Sequence, residues 1–295
     1  MKIILFFYIF FSSILFSEGF SDYTFNNAES SSMAGAIVSN EGGDWSLFNN
    51  PASLIEIDKK RFSVGYSNLY NQTYLPLSSF GVTVPYNNRI NIGLKYLSFK
   101  VDYKGTELLN ESMLGFVGSK YLLKDKNSTL SLGFSANSYL ISFGKSSGTN
   151  GDGTNGVKKN NVNAFGLDIG ILATLREKNR VGVFIKNFAS SNIGDGTSNQ
   201  DLPKKIDMGL STKPYDNLML SFSIEQLLGY NSPQFRSGIK YKINKMLCLN
   251  AGVQSNPNRL GLGFQIEKNK FLFSYGFLTH HVLPSTHQTN LGFSF

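Results

Sequence analysis

One alternating segment restricts the possible folds of this chain more than any other. In AFGLDIGIL, residues 164 to 172, every second residue is bulky and apolar, and the residues between them are small or polar. A period of two is typical of a β-strand, so Asp168 lies on the opposite face from its apolar neighbours. The segment therefore predicts a strand whose two faces meet different environments.

Strand patterns bounded by turn residues recur along the rest of the chain. They predict fourteen strands, at 61–67, 78–85, 89–100, 111–122, 128–142, 161–175, 180–188, 204–213, 216–225, 234–243, 246–254, 258–267, 269–279 and 286–295.

Charge falls on only one face of these segments. The other face carries runs such as Leu218, Leu220, Phe222 and Ile224. The charged column contains Lys95, Asp168, Lys186, Asp207, Glu225, Arg236, Lys240 and Lys242. A charge on the lipid side of a barrel costs roughly 2–4 kcal/mol at the bilayer midplane, which favours such a separation.

We therefore predict an all-β fold, a transmembrane antiparallel β-barrel of about 14 strands formed by residues 61–295. A secreted β-sandwich or solenoid is the alternative, but its polar face would be rich in Lys and Glu, and here that face is mostly Gly, Ser and Asn. Within the barrel we expect Lys95, Asp168, Lys186, Asp207 and Lys240 to pair with one another or with a plug.

The connections between strands support the same fold. Long and short connections alternate along the chain, apart from the short SNPN connection at 255–258. Outer-membrane barrels have short periplasmic turns and longer external loops, so both ends of the barrel sequence are expected on the periplasmic side. The closing segment TNLGFSF ends in Phe295, and a terminal aromatic residue resembles the signal read by the outer-membrane assembly machinery.

The first residues predict export. A basic Lys2 precedes an apolar run from Ile3 to Phe16, and small residues at Ser17 and Gly19 form a cleavage pattern, so residues 1–19 are predicted to be a signal peptide. A membrane anchor is the alternative, but fourteen helical residues span only about 21 Å of a hydrocarbon core of ~30 Å. These features together predict the outer membrane of a Gram-negative bacterium, with its lipid as the surrounding partner.

Residues 20–60 lack the strand pattern and are predicted to be an N-terminal hatch or plug. They contain a possible short helix at 30–36, the single Trp45, and Phe48 followed by an Asn49-Asn50-Pro51 turn. A lumen of fourteen strands is too wide for its own side chains to fill, so we expect these residues to pack inside it. A periplasmic cap or a disordered leader is the alternative.

The sequence gives little support for nucleic-acid binding, metal binding or catalysis. The formal charge of +8 comes largely from turns such as Lys124-Asp125-Lys126, without interleaved aromatic residues, so no nucleic-acid partner is predicted. No cofactor or metal site is predicted, because His280, His281 and His287 lack accompanying acids and GTNGDGTNG (148–156) lacks the closing Glu of a calcium loop. Ser285 and His287 have no assignable acid, so we predict no enzyme.

Three segments resemble a known family. SMAGAIVSNEGGDWSLFNNPASL (32–54), the late hairpins at 235–277 and the ending HVLPSTHQTNLGFSF are similar to the PorV/PorQ-type and wider FadL-like outer-membrane proteins. The resemblance implies a fourteen-stranded barrel with an N-terminal hatch. Some members carry hydrophobic molecules across the outer membrane, and others are partners of the type IX secretion translocon.

Two hypotheses for function follow. In the first, the protein is a plugged channel for a small hydrophobic molecule, which enters because apolar surface leaves water. In the second, the barrel does not transport and is a structural or assembly partner of a secretion system or surface complex. The sequence favours the channel, because a wide lumen that needs a plug is the feature with a physical argument behind it.

Overall fold

The structure is a computed structural model that describes residues 25–146, 148–149, 151, 155–158, 160–193, 200–229 and 232–295. The predicted signal peptide and part of the GTNGDGTNG segment lie outside the described residues.

A closed antiparallel barrel of fourteen strands forms most of the described chain. The helices are α1 (Ala28–Ser32), α2 (Ser46–Asn49) and two 3-10 helices (Pro51–Glu56 and Leu69–Asn71). The strands are β1 (Arg61–Asn68), β2 (Pro76–Asn87), β3 (Ile90–Tyr103), β4 (Thr106–Lys124), β5 (Ser128–Phe143), β6 (Val162–Leu175), β7 (Asn179–Ser190), β8 (Asn192–Ile193), β9 (Gln200–Asp201), β10 (Lys205–Tyr215), β11 (Leu218–Leu227), β12 (Gln234–Lys242), β13 (Leu247–Gln254), β14 (Arg259–Lys268), β15 (Phe271–Leu278) and β16 (Thr286–Ser294). β8 and β9 form a separate two-stranded pair, and β1 closes the barrel against β16.

The fourteen predicted strands are confirmed as the fourteen strands of the barrel, and one predicted loop is wrong. The sequence predicted a long connection at 101–110, but β3 continues to Tyr103 and β4 begins at Thr106. The two strands stay paired because Val101 and Leu109 extend the inward-facing apolar column. Only Lys104 and Gly105 turn the chain, both with positive φ.

The two ends of the barrel differ in their connections. At one end, the short-turn end, strands are joined by two to four residues, as at 88–89 and 243–246. At the other, the loop end, most connections are longer, as at 144–161 and 279–285. Lys60 and Phe295 meet at the short-turn end, where the Phe295 amide donates to the Lys60 carbonyl at 3.0 Å.

The alternation of the strands separates the two faces as the sequence predicted, but the expectation that charge lies on one face only is wrong for Lys100 and Lys120, which lie on the outer face near the strand ends. Outward residues such as Leu210 and Phe222 are more than half exposed, at 57% and 55%. The inward residues Lys95, Asp168 and Asp207 are 3%, 1% and 5% exposed. Asp168 therefore faces the lumen, while Leu167 and Ile169 belong to the outer face of the same strand.

Candidate functional site

Residues 25–60, which we call the lumenal segment, fill the inside of the barrel. α1 lies against β13 to β16, and the 3-10 helix Pro51–Glu56 lies against β3 to β6. Met33, Leu47 and Leu54 are fully buried between the segment and the wall. The predicted helix at 30–36 is shorter and begins earlier, at Ala28, where the Asn27 side chain accepts a hydrogen bond from the Ser30 amide at 2.9 Å.

Inward-facing glycines let this segment approach the wall closely. A Cβ at Gly133 in β5 would lie 2.2 Å from the Pro51 carbonyl carbon, and one at Gly252 in β13 would lie 2.2 Å from the same atom of Met33. Both neighbours are backbone atoms, so a larger residue would force the segment to move. The glycines of the polar column thus make room for the lumenal segment.

All five residues singled out from the predicted plug lie in the lumen. Trp45 and Phe48 join a buried apolar cluster with Leu97 and Met113 of the wall. Asn49 accepts a hydrogen bond from the Asn27 side chain at 3.0 Å.

Asn50 and Pro51 begin the 3-10 helix and tie it to the wall. The Asn50 Oδ1 atom accepts from the Ala52 amide at 3.0 Å. Its Nδ2 atom donates to the Val38 carbonyl at 2.8 Å and to the Ile171 carbonyl of β6 at 3.3 Å. One side chain therefore joins two parts of the lumenal segment and the barrel.

The lumenal segment also carries a one-sided charge that the sequence analysis missed. Every charged residue between 25 and 57 is acidic, and each pairs with a base of the wall near the short-turn end. The pairs are Glu29 with Lys240 at 2.9 Å, Asp44 with Arg61 at 2.6 Å, Glu41 with Lys213, and Glu56 with Arg180. The four bases belong to β12, β1, β10 and β7, so the pairs are spread around the barrel.

The pKa values of two of these acids are shifted in opposite directions. Burial raises the pKa of Glu56, even though the Arg180 guanidinium and the Gly42 amide favour its charged form. Burial acts on Glu41 in the same direction, but the Lys213 ammonium and other nearby bases bring the pKa of Glu41 below its usual range. Lowering the pH therefore changes the stability of the folded protein in opposite directions through Glu41 and through Glu56.

Asp168 is held by three donors in mid-lumen. Its carboxylate accepts from Lys95 Nζ at 3.4 Å, Asn137 Nδ2 at 2.7 Å and the Asn187 amide at 2.9 Å. The Asn187 amide is available because the pairing of β6 and β7 shifts here, from Leu167 opposite Ala189 to Ile169 opposite Ile185. Asn187 has a φ of 52°, which accommodates the irregularity.

The remaining predicted lumen charges also find places inside the barrel. Asp207 lies 3.9 Å from Arg236, which forms a closer pair with Glu225. Lys186 lines the same cavity as Lys95 and Asp168. Lys240 pairs with Glu29 of the lumenal segment, as described above. The arrangement thus contains both wall-to-wall pairs and pairs with the lumenal segment.

The space left in mid-lumen is small. A cavity of about 50 Å³ lies between Ile37 and Phe48 of the lumenal segment and the wall residues Leu97, Phe184 and Lys186. An engineered apolar cavity of about 150 Å³ is known to hold benzene, so this cavity is too small for such a molecule. A larger crevice of about 400 Å³ lies at the short-turn end, between Glu41–Trp45 and β12 to β15.

The polarity of the wall reverses along β3 to β5. In the lower part of β3, the inward residues include Asn91 and Lys95, and the outward residues include Ile92 and Leu94. Towards the loop end the inward residues are mostly apolar, with the buried Glu111 of β4 among them, and the outward ones of β3 become Ser98, Lys100 and Asp102. The apolar inward residues are Leu97, Phe99, Val101, Leu109, Met113, Tyr139, Ile141 and Phe143, which we call the apolar lining.

The apolar lining leads inward to the lumenal segment, because Phe48 and Trp45 belong to the same buried cluster. β4 has 19 residues, about 63 Å at ~3.3 Å per residue, which at a tilt of ~45° rises well above a hydrocarbon core of ~30 Å. The outward polar residues of β3 are consistent with that height. This lining was not predicted, because each strand was expected to keep one polarity per face along its whole length.

The three histidines contact neighbouring rings, and His287 belongs to β16 rather than to the loop before it. His280 and His281 stack with ring centroids 4.5 Å apart, and His287 Nδ1 lies 2.6 Å from the Tyr275 hydroxyl. Within the residues that the structure describes, no group of three or more metal-ligating side chains could hold an ion. Over the same residues, no helix has the length and apolar character needed to cross a bilayer.

Comparison with known proteins shows the fold. No family model matches the chain, and no curated protein matches its sequence. Among solved structures, the CymD monoaromatic hydrocarbon channel has a TM-score of 0.66 at 14% identity, covering 91% of this chain and 97% of that one. The toluene transporter TodX of P. putida has a TM-score of 0.66 at 13% identity, covering 91% and 98%.

A FadL homologue from Pseudomonas aeruginosa is also similar, with a TM-score of 0.53 at 12% identity over 91% of this chain and 96% of that one. The predicted FadL-like fourteen-stranded architecture is therefore confirmed as the fold of this chain. Of the compared structures, CymD is described as a channel and TodX as a transporter.

Proposed function

We propose that the protein is an outer-membrane channel that admits a small hydrophobic molecule and is closed by its lumenal segment. The apolar lining supports this proposal most directly. It places apolar side chains on the inner face of strands that rise above the bilayer, where an inner wall facing only water would gain nothing from them. An apolar solute that enters would lose contact with water before it reaches Phe48.

The resemblance to hydrocarbon channels supports the same function. CymD, TodX and the toluene transporter TbuX of Ralstonia pickettii share the fold of this chain. By analogy we place the short-turn end in the periplasm and the loop end outside the cell. We also propose that residues 1–19 are removed as a signal peptide and that Phe295 takes part in recognition by the assembly machinery.

Passage requires the lumenal segment to move. The mid-lumen cavity is too small for a monoaromatic molecule, and four ion pairs join the segment to the wall. The crevice at the short-turn end offers space for such a movement beside Gly42 and Gly43. In this account the structure represents the closed state.

A non-transporting role is the second candidate. The close seating of the lumenal segment against Gly133 and Gly252 favours it, because a permanently filled barrel needs no passage. In that role the protein would resemble the PorV/PorQ-type partners of type IX secretion. Stable co-purification with other envelope proteins in mild detergent, together with no effect on hydrocarbon uptake, would support this alternative.

Deleting residues 25–57 tests the proposed closure. The deletion removes the material that fills the lumen and leaves β1 to β16 intact, so we expect planar bilayers to show ion conductance at least about tenfold above that of the native protein. Heat-modifiable mobility in gels controls for barrel assembly. An assembled deletion variant that conducts no more than the native protein would contradict the role of the lumenal segment.

A further inference from the structure

Three turns at the short-turn end share a pattern that the channel function does not use. Each has two bases that flank one polar residue: Lys124-Asp125-Lys126, Arg176-Glu177-Lys178 and Lys268-Asn269-Lys270. All six bases are exposed. Within the described part of the chain, none of the six forms an ion pair with an acid.

The central residues offset only part of this charge, because Asp125 and Glu177 leave the three turns with a net charge of +4. The Asp125 carboxylate accepts a hydrogen bond from the backbone amide of Lys126 at 2.8 Å, so it stabilises the turn. In the third turn the central residue is Asn269, which has a positive φ of 59° and no charge. All six side chains are exposed to the surroundings, and Lys124 in addition donates from Nζ to the Asn88 carbonyl at 3.5 Å.

The neighbouring apolar residues indicate where these bases lie relative to the edge of the hydrocarbon core. Leu123 immediately precedes the first turn, Leu175 precedes the second and Phe271 follows the third, and these three side chains are 56%, 52% and 66% exposed. Each is a large apolar residue at the end of a barrel strand. Because the connections are so short, the bases lie within a few ångströms of the edge of the hydrocarbon, at the level of lipid headgroups.

We propose that these three turns bind the headgroups of anionic phospholipids, the β4–β5 and β6–β7 turns as neighbours on the rim of the barrel and the β14–β15 turn on the opposite side. Positive charge held at headgroup level attracts anionic lipids, and the attraction decays over about 10 Å in 0.1 M salt. The turns are too short to reach a partner deep in the periplasm, which favours lipid over an acidic protein. The inference rests on the membrane placement proposed above but not on transport.

The test uses the full-length protein in bilayers of phosphatidylcholine that contain spin-labelled phosphatidylglycerol or spin-labelled phosphatidylcholine. We expect the native protein to associate with the anionic lipid at least about threefold more strongly, and to lose this preference in 0.5 M NaCl. Neutralising four of the six bases in K126Q/K178Q/K268Q/K270Q should lower the ratio well below the native value, with Lys124 and Arg176 left in place.

A matched variant at the loop end is the control. K100Q/K104Q/K145Q/K158Q removes the same number of exposed bases from the opposite end and should keep the native preference at the short-turn end. A native protein that inserts but shows no preference would overturn the inference, as would a short-turn variant that keeps the preference. Failure to insert into the bilayer at all would instead contradict the membrane placement.

Discussion

At the residue scale, single side chains decide how closely the lumenal segment meets the wall. Gly133 and Gly252 face inward and touch backbone atoms of the segment, whereas Gly118 of β4 faces outward with nothing within 4 Å of a built Cβ. The two environments predict opposite responses to the same added methyl group.

We expect Gly133→Ala to destabilise the protein by about 1–3 kcal/mol, because the added Cβ collides with Pro51 and Ala52 and one of the two elements must shift. Thermal unfolding in detergent measures the loss. Gly118→Ala is the matched control and should leave the midpoint nearly unchanged. Equal midpoints for the two variants would show that the segment is not seated against β5 as described.

The buried ion pair of Asp168 and Lys95 can be tested by removing one charge at a time. Asp168→Asn leaves the Lys95 ammonium buried without its anion, and breaking such a pair costs about 3–5 kcal/mol. Chemical denaturation should show this loss. Adding Lys95→Gln removes the stranded charge and should restore part of the stability; a double variant less stable than Asp168→Asn alone would contradict the pairing.

At the element scale, the lumenal segment combines apolar packing with ion pairs whose responses to pH differ in sign. The pKa of Glu41 is lowered in the folded protein. Its contribution to the stability of the fold is therefore complete above the ordinary Glu value of about 4.3, and it is lost as the pH falls below that value and through the lowered pKa. The pKa of Glu56 is raised, so acid does not weaken the fold through Glu56. Acid should therefore loosen the segment through Glu41.

Hydrogen exchange of the amides at 39–44 provides the measurement, corrected for the intrinsic rates at pH 7 and pH 4. The native segment should lose protection at the lower pH, and Glu41→Gln should show little difference between the two values. Because the Glu41 side chain is 41% exposed, the effect should be modest and should shrink in salt. Loss of the acid response in Glu56→Gln alone would contradict the assignment.

Local alternation explains how far the sequence could predict these elements. Each barrel strand shows its period of two within the segment itself, so all fourteen could be recognised, including the placement of Asp168 inside. The partners of Glu29, Asp44 and Glu56 lie on strands distant in sequence, and nothing near those acids identifies them. The all-acidic character of the segment was the available signal; of the three bases, only Lys240 was expected in the lumen, paired with another charge or with the plug.

At the scale of the whole molecule, the barrel has unequal walls. β4 has 19 residues while β13 has 8, and the apolar lining lies on the taller side. Sequence patterns do not show where a strand leaves the membrane, so the reversal of polarity along β3 to β5 could only be seen once the strands were aligned. This asymmetry gives the proposed channel an apolar side by which a solute could enter.

The most direct measurement is the uptake of labelled toluene by intact cells that express the native protein, Ile141→Ser or Leu140→Ser. The two residues are adjacent in β5, but Ile141 is 1% exposed on the inner lining and Leu140 is 40% exposed on the outer face. Expression of the native protein should raise uptake; Ile141→Ser should reduce it severalfold, and Leu140→Ser should match the native rate at equal surface amounts. Uptake that is no faster than without the protein, or that is unaffected by Ile141→Ser, would contradict a hydrophobic channel.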